Sequence, residues 1–250
     1  NYGVAVGDNA LNANTLGVNN TAVGYRAGVN GTSTEFNNNT FLGYLAGGSA
    51  GSTPVPTGGG NTFLGSQTGV SLTTGGGNVF IGMYAGNVSQ TAGGNTVVGT
   101  SAGRYGLMGS GNVLVGQGAG MGITNVSDSN TAIGSYAGEN LNTGQYNVLL
   151  GRSAGKNLTS GSHNIIIGYD INAPILTGNN QMNIGNLIYG TGIDGVNGTI
   201  STGNVGIGTT SPYAKLSVES IFGGDTPLFS VSSSTNGLAT STALFVSSTG

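Results

Sequence analysis

The stretch Asn78-Val79-Phe80-Ile81-Gly82, followed by Met83-Tyr84-Ala85-Gly86, decides how the rest of the chain reads. Its apolar run is three residues long and rich in β-branched and aromatic side chains, with turn-forming residues on both sides. That is the composition of a very short strand. The same string, Asn, then Thr, Val or Ile, then two apolar residues and Gly, recurs along the chain. It spans Asn20–Gly24, Asn39–Gly43, Asn61–Gly65, Asn78–Gly82, Asn95–Gly99, Asn112–Gly116, Asn130–Gly134, Asn147–Gly151 and Asn164–Gly168. Degenerate copies end at Gly7, Gly185 and Gly208. Successive anchor glycines are 17, 19, 22, 17, 17, 17, 18, 17, 17, 17 and 23 residues apart. An Ala-Gly pair follows most anchors by three and four residues, as at Ala27–Gly28, Ala102–Gly103 and Ala154–Gly155. A period of this kind outranks any local pattern.

Seventeen residues are too few for two helices, and the chain holds 51 Gly, each costing about 1 kcal/mol in a helix interior relative to Ala. Short strands at fixed spacing, separated by turns, describe the coils of a β-solenoid. The sequence therefore predicts an all-β fold, a β-solenoid (β-roll) of about eleven 17-residue coils over residues 1–203. Residues 204–250 form a junction and the start of a Ser-rich β stalk. At about 4.8 Å per coil the rod is roughly 50 Å long. The longer intervals are outward insertions at Gly31–Phe36 and Ser49–Gly58. Stacking brings Asn20, Asn39, Asn61, Asn78, Asn95, Asn112, Asn130, Asn147 and Asn164 over one another, where side-chain amides can bond along the axis as a ladder. The anchor glycines take a corner that excludes a Cβ.

Side chains alternate across a strand. The rows one and three residues before each anchor share a face and are expected to fill the interior. The row two before it, Ala22, Phe41, Phe63, Phe80, Val97, Leu114, Ala132, Leu149 and Ile166, would then point outward as an apolar stripe. Stripes larger than a few hundred Å² mark interfaces. This row is the expected oligomer interface of a parallel bundle of copies.

Charge limits the remaining choices. Five Lys and Arg against eight Asp and Glu give a net charge of −3, which excludes a polybasic nucleic-acid surface. No apolar run approaches the 18 residues of a membrane span. The chain lacks Cys, as suits an extracellular protein that folds without disulfides. It opens at Asn1 and stops inside an apparent repeat, as expected of a segment of something longer.

The candidates for chemistry are sparse. His163 is the one imidazole and reads as a solvated turn residue. The eight acids never share a repeat column, so the paired carboxylates of a glycosidase are missing. Asp128, in Asn125–Asn130, is a single acid where a Ca²⁺ site takes several. Gly155-Lys156 departs from a phosphate loop at Leu150 and Asn157. No enzyme activity, cofactor or metal is expected. Tyr25, Tyr44 and Tyr169, one after the anchor, with Tyr84 and Tyr136 two after, either pack between coils or form a shallow binding surface.

The repeat N-T-x-Φ-G-x-x-A-G (Φ, apolar), over about residues 1–185, resembles the head repeats of trimeric autotransporter adhesins and of related phage tail-fibre shafts. The resemblance implies β-coils stacked in a left-handed roll and three chains packed as a parallel homotrimer. The 17-residue coil is longer than the usual adhesin coil, which implies an extra corner or a longer turn. The segment Gly203-Asn204-Val205-Gly206-Ile207-Gly208-Thr209-Thr210-Ser211-Pro212, followed by Ala214-Lys215-Leu216-Ser217-Val218, is similar to junctions that lead from a repeat block into a stalk. Beyond it, Leu228–Ser233 and Leu244–Ser248 read as two alternating strands.

The function expected is a non-enzymatic extracellular fibre segment at a cell surface or on a virion. It would be the shaft or head of an adhesin or filament, or alternatively a phage tail-fibre shaft. Its partners would be copies of itself and a cell-surface glycan or protein bound by avidity. An ice-binding or carbohydrate-active solenoid is the competing class. The first needs an outward Thr array, which the expected facing denies, and the second needs clustered acids.

Overall fold

The computed structural model describes residues 3–220 and 228–246, apart from 30, 32, 49–56, 89–90, 107, 124–126 and 236–237. Most of the expected insertion at Ser49–Gly58, part of that at Gly31–Phe36, and the end of the last expected strand lie outside the described residues.

The fold is all-β, with no helix among the described residues, and it is a β-solenoid of about ten turns. The rungs are β1 (Val4–Val6), β2 (Thr21–Val23), β3 (Thr40–Leu42), β4 (Thr62–Leu64), β5 (Val79–Ile81), β6 (Thr96–Val98), β7 (Val113–Val115), β8 (Thr131–Ile133), β9 (Val148–Leu150), β10 (Ile165–Ile167) and β11 (Met182–Ile184). Each pairs in parallel with the next, residue for residue, so Phe63 lies over Phe80 and Phe80 over Val97. The longer intervals between Gly24, Gly43 and Gly65 leave this register intact.

The expected count of eleven coils changes at the end of the stack. The 23-residue interval from Gly185 to Gly208 is not a coil. It contains β12 (Ile188–Gly190), which pairs antiparallel with β11 and with β13 (Val205–Ile207). Then β13 pairs in parallel with β14 (Leu216–Val218), so one 14-stranded sheet crosses the expected boundary at 203/204. The reversal coincides with a change of core chemistry. At the inward position of β11 stands Asn183, whose Nδ2 donates to Asn172 O (2.7 Å) and to Asn186 Oδ1 (2.8 Å). A separate antiparallel hairpin joins β15 (Phe229–Thr235) and β16 (Leu238–Val246).

The facing of the strands is the opposite of the sequence expectation. Ala22, Phe41, Phe63, Phe80, Val97, Leu114, Ala132, Leu149 and Ile166 are all buried inside the single chain, each at most 1% exposed. The two flanking rows face outward, with Leu42, Leu64 and Ile133 over 40% exposed. A three-residue strand places one side chain on one side and two on the other, and the narrow coil has room for the single row. Phe41, Phe63 and Phe80 stack along the axis at 5.4 and 4.8 Å between ring centres. The buried Ala27, Ala46, Ala85 and Ala102 and the glycine after each pass beneath this row. A Cβ at Gly47 would come within 2.3 Å of the Phe41 ring. Large residues on the strand thus require small ones across the core. A third interior column, Leu72, Ile123, Leu141 and Leu158, closes the coil seven residues after the anchor.

Candidate functional site

The nine ladder asparagines are buried, and they tie each coil to the next. The side-chain oxygen of Asn78 accepts the backbone N–H of Asn95 (3.0 Å) and its side-chain Nδ2–H (3.1 Å). Asn95 Nδ2 also donates to Gly109 O in its own turn at 2.9 Å. The pattern repeats at Asn112, where Oδ1 accepts from Asn130 N (2.9 Å) and Nδ2 donates to Ser127 O (2.8 Å). Gln181 takes the Asn position in the last rung and folds its longer side chain back onto Ile175, donating to Ile175 O and accepting from Ile175 N, both at 2.9 Å. The amide ladder is therefore a scaffold that satisfies buried backbone groups.

The expected oligomer-interface residues, Ala22, Phe41, Phe63, Phe80, Val97, Leu114, Leu149 and Ile166, cannot meet a partner because their own coil encloses them. The exposed strand face carries different residues. One row reads Val4, Thr21, Thr40, Thr62, Val79, Thr96, Val113, Thr131, Val148, Ile165, and the other Val6, Val23, Leu42, Leu64, Ile81, Val98, Val115, Ile133, Leu150, Ile167. Neither row contains a charge. Their regular pairing makes a continuous, uncharged face along the stack.

Residues read for chemistry stay apart. The imidazole of His163 stacks on Tyr146, with ring centres 4.9 Å apart, in an exposed turn. The Asp128 carboxylate accepts Ser110 N–H at 2.6 Å. Lys156 pairs with Glu139 at 3.0 Å. Among the described residues there is no group of three or more His, Asp or Glu side chains placed to hold a metal. No helix among them is long and apolar enough to cross a membrane. A cleft of about 440 Å³ beyond the last parallel rung is lined by Pro174, Ile175, Gln181, Thr191, Thr210 and Ser211 with neighbouring Gly and Asn, none of them ionisable. Next to it Asp194 accepts the Thr202 hydroxyl (2.6 Å) and the Thr202 N–H (2.7 Å). Those two hydrogen bonds hold its carboxyl below the ordinary value of 3.8.

The tyrosines occupy the edge after the anchor glycine. Tyr25 and Tyr44 stack at 5.7 Å with planes 9° apart, and both are about half exposed. Tyr84 and Tyr136 sit at positive φ, +62° and +59°, a region a bulky residue enters only when its surroundings impose it. Arg104 packs between coils on this edge, a contact the sequence reading missed. Its signal was the coincidence of Arg104 with Tyr84 and Tyr105 in adjacent coils.

No protein family, curated protein or solved structure matches this chain.

Proposed function

We propose that the chain is a non-enzymatic segment of an extracellular fibre, the shaft or head of a surface adhesin or filament, which associates laterally with copies of itself. The observation that carries this reading is the outward strand face, two uncharged rows of Thr and aliphatic side chains along the whole parallel stack. At about 4.8 Å per rung and roughly 10 Å across the two rows, the face measures on the order of 500 Å². That is near the upper end of what a monomer leaves open and below the ~800 Å² per partner of a standard interface. Residues bordering the face therefore join the contact. Parallel copies in the same orientation keep like rows opposed, and three copies around one axis close the assembly. A phage tail-fibre shaft would have the same geometry.

The mass of the native particle tests this. Sedimentation equilibrium is expected to return a multiple of the 24.5 kDa chain, and L64K with I81K and V98K is expected to return the monomer. A native chain sedimenting as a monomer at micromolar concentration would sink the reading. One observation favours a second one. The Thr of the outer row, including Thr21, Thr40 and Thr62, do face solvent, which removes an objection to ice binding. Val79, Val113 and Val148 interrupt the row at β5, β7 and β9, and thermal hysteresis of the purified chain decides the matter.

A further inference from the structure

We propose that the edge following the anchor glycines binds an acidic polysaccharide laid along the solenoid axis, with Arg104 as its central anion-binding group. Four of the five cations of the chain, Arg26, Arg104, Arg152 and Lys156, stand one to five residues after an anchor glycine. Three of these four lie over tyrosine rings. The Arg104 guanidinium is 4.0 Å from the ring centre of Tyr84 in the preceding coil and 4.8 Å from that of Tyr105. Arg152 lies 5.4 Å from the ring centre of Tyr169, and its Nη1 donates to the Tyr169 hydroxyl at 3.0 Å. Lys156 repeats the Arg104 arrangement over Tyr136, at 5.6 Å, but its charge is already matched by Glu139.

Among the described residues that Lys156–Glu139 contact is the one ion pair, so no arginine is ion-paired, and Arg104, half-buried between its two rings, has no acid in its own or the preceding coil. Contact with an aromatic ring orients a guanidinium while leaving its N–H fork free, and that fork matches a carboxylate. Spacing selects the partner. Arg26, Arg104 and Arg152 belong to the second, sixth and ninth coils, which puts roughly 19 Å and 14 Å between them at ~4.8 Å per coil. A nucleic acid, with a charge every ~1.7 Å, calls for a far denser row of cations. A carboxylated glycan can be held at a few of its anions only, with its hydroxyls and apolar ring faces supplying the contacts between them. Exposed Tyr25, Tyr44 and Tyr169 offer surfaces for the sugar rings between the charged points.

The inference supplies a ligand for the fibre reading and depends on it only for its setting. Polygalacturonate and neutral dextran serve as probes in calorimetry and affinity electrophoresis of the whole chain. The chain is expected to bind polygalacturonate, more weakly as salt rises, and to leave dextran unbound. R104Q should weaken that binding about tenfold, the loss of one charge-assisted contact, with the thermal midpoint lowered by no more than about 4 °C through the lost cation–π contacts. R104K, which keeps the charge without the fork, should restore only part of it. If R104Q does not fold, R152Q takes its place with the same expectation. No binding to polygalacturonate, equal binding to dextran, or unchanged affinity in the folded variant would each overturn the proposal. Sedimentation of the same sample separates the two readings. A monomer that binds refutes lateral association alone, and an oligomer that does not bind refutes the glycan edge alone.

Discussion

Gly99 has a φ of +136°, and a Cβ there would lie 2.5 Å from the carbonyl oxygen of Gly116 in the next coil. Gly94 also has a positive φ, +66°, but nothing lies within 4 Å of its missing Cβ. The two separate backbone strain from steric exclusion. G94A should cost about 1–2 kcal/mol for the left-handed conformation alone, a fall of roughly 2–8 °C in thermal midpoint for a domain this size. G99A adds the clash with a neighbouring backbone that cannot move without opening the stack, and should cost at least ~3 kcal/mol. Equal melting temperatures for the two variants would contradict the close approach of coils at the anchor. Asn112 illustrates a polar requirement at the same scale. N112A strands the Asn130 N–H and the Ser127 carbonyl in a buried setting, and each orphaned group costs about 1–3 kcal/mol. Asp194 gives a pH-dependent case. Its carboxyl titrates lower in the folded chain than in the unfolded one, so its contribution is complete above the ordinary value and disappears as pH falls through the lowered one. Protection of the Thr202 amide, its exchange measured against the intrinsic rate at each pH, should fall in acid in the native chain, and in D194N it should no longer change over that range.

At the scale of the strand, Phe63 and Leu64 are neighbours in sequence and opposites in environment, 1% and 41% exposed. F63A empties a stacked aromatic position and should cost about 3–5 kcal/mol. L64A should change the stability of the isolated chain by less than ~1 kcal/mol, and any larger loss should appear only where copies associate. Thermal melts of both variants at low and high concentration check this. The strand positions, the 17-residue period, the anchor glycines and the stacking of asparagines are all legible in the sequence, because each repeats in a fixed column. The facing of the strand was open to a wrong choice because apolar side chains stand on both of its faces from β1 to β10. Alternation still held the answer. The ladder Asn and the middle residue are two apart, so a buried Asn78 places Phe80 inside with it. The Ala-Gly pair pointed the same way, since a small column is the complement of a row of phenylalanines. The Leu72, Leu141 and Leu158 column was visible at seven residues past the anchor but is masked by the variable turn around it. The reversal at β12 was not legible, because Ile188-Tyr189-Gly190 carries no mark of strand direction.

On the scale of the whole molecule, each coil contacts only its neighbours, so stability should behave as a sum of coil and interface contributions rather than as one indivisible core. The residue-for-residue register of β5, β6 and β7 makes this testable by surgery. Removing residues 96–112 joins Asn95 to Val113 and restores an unbroken Asn-Val-Leu-Val-Gly string. The new neighbours present the same chemistry at every column: Asn over Asn inside, Leu114 over Phe80 in the core, and Gly116 over Gly82 at the corner. The shortened chain should keep its β-rich circular dichroism and its cooperative melt, and its length in small-angle scattering should fall by about 5 Å, one strand spacing. Removing half that length, residues 96–103, deletes β6 and its Ala-Gly corner and leaves no string to replace them, so the stack should break there. A globular core held by contacts distant in sequence would respond the other way, losing its fold when seventeen contiguous residues containing a central strand are cut out. The distinction rests on Asn, Gly and the middle apolar residue being interchangeable from coil to coil, which is the property that lets one short sequence unit specify a rod.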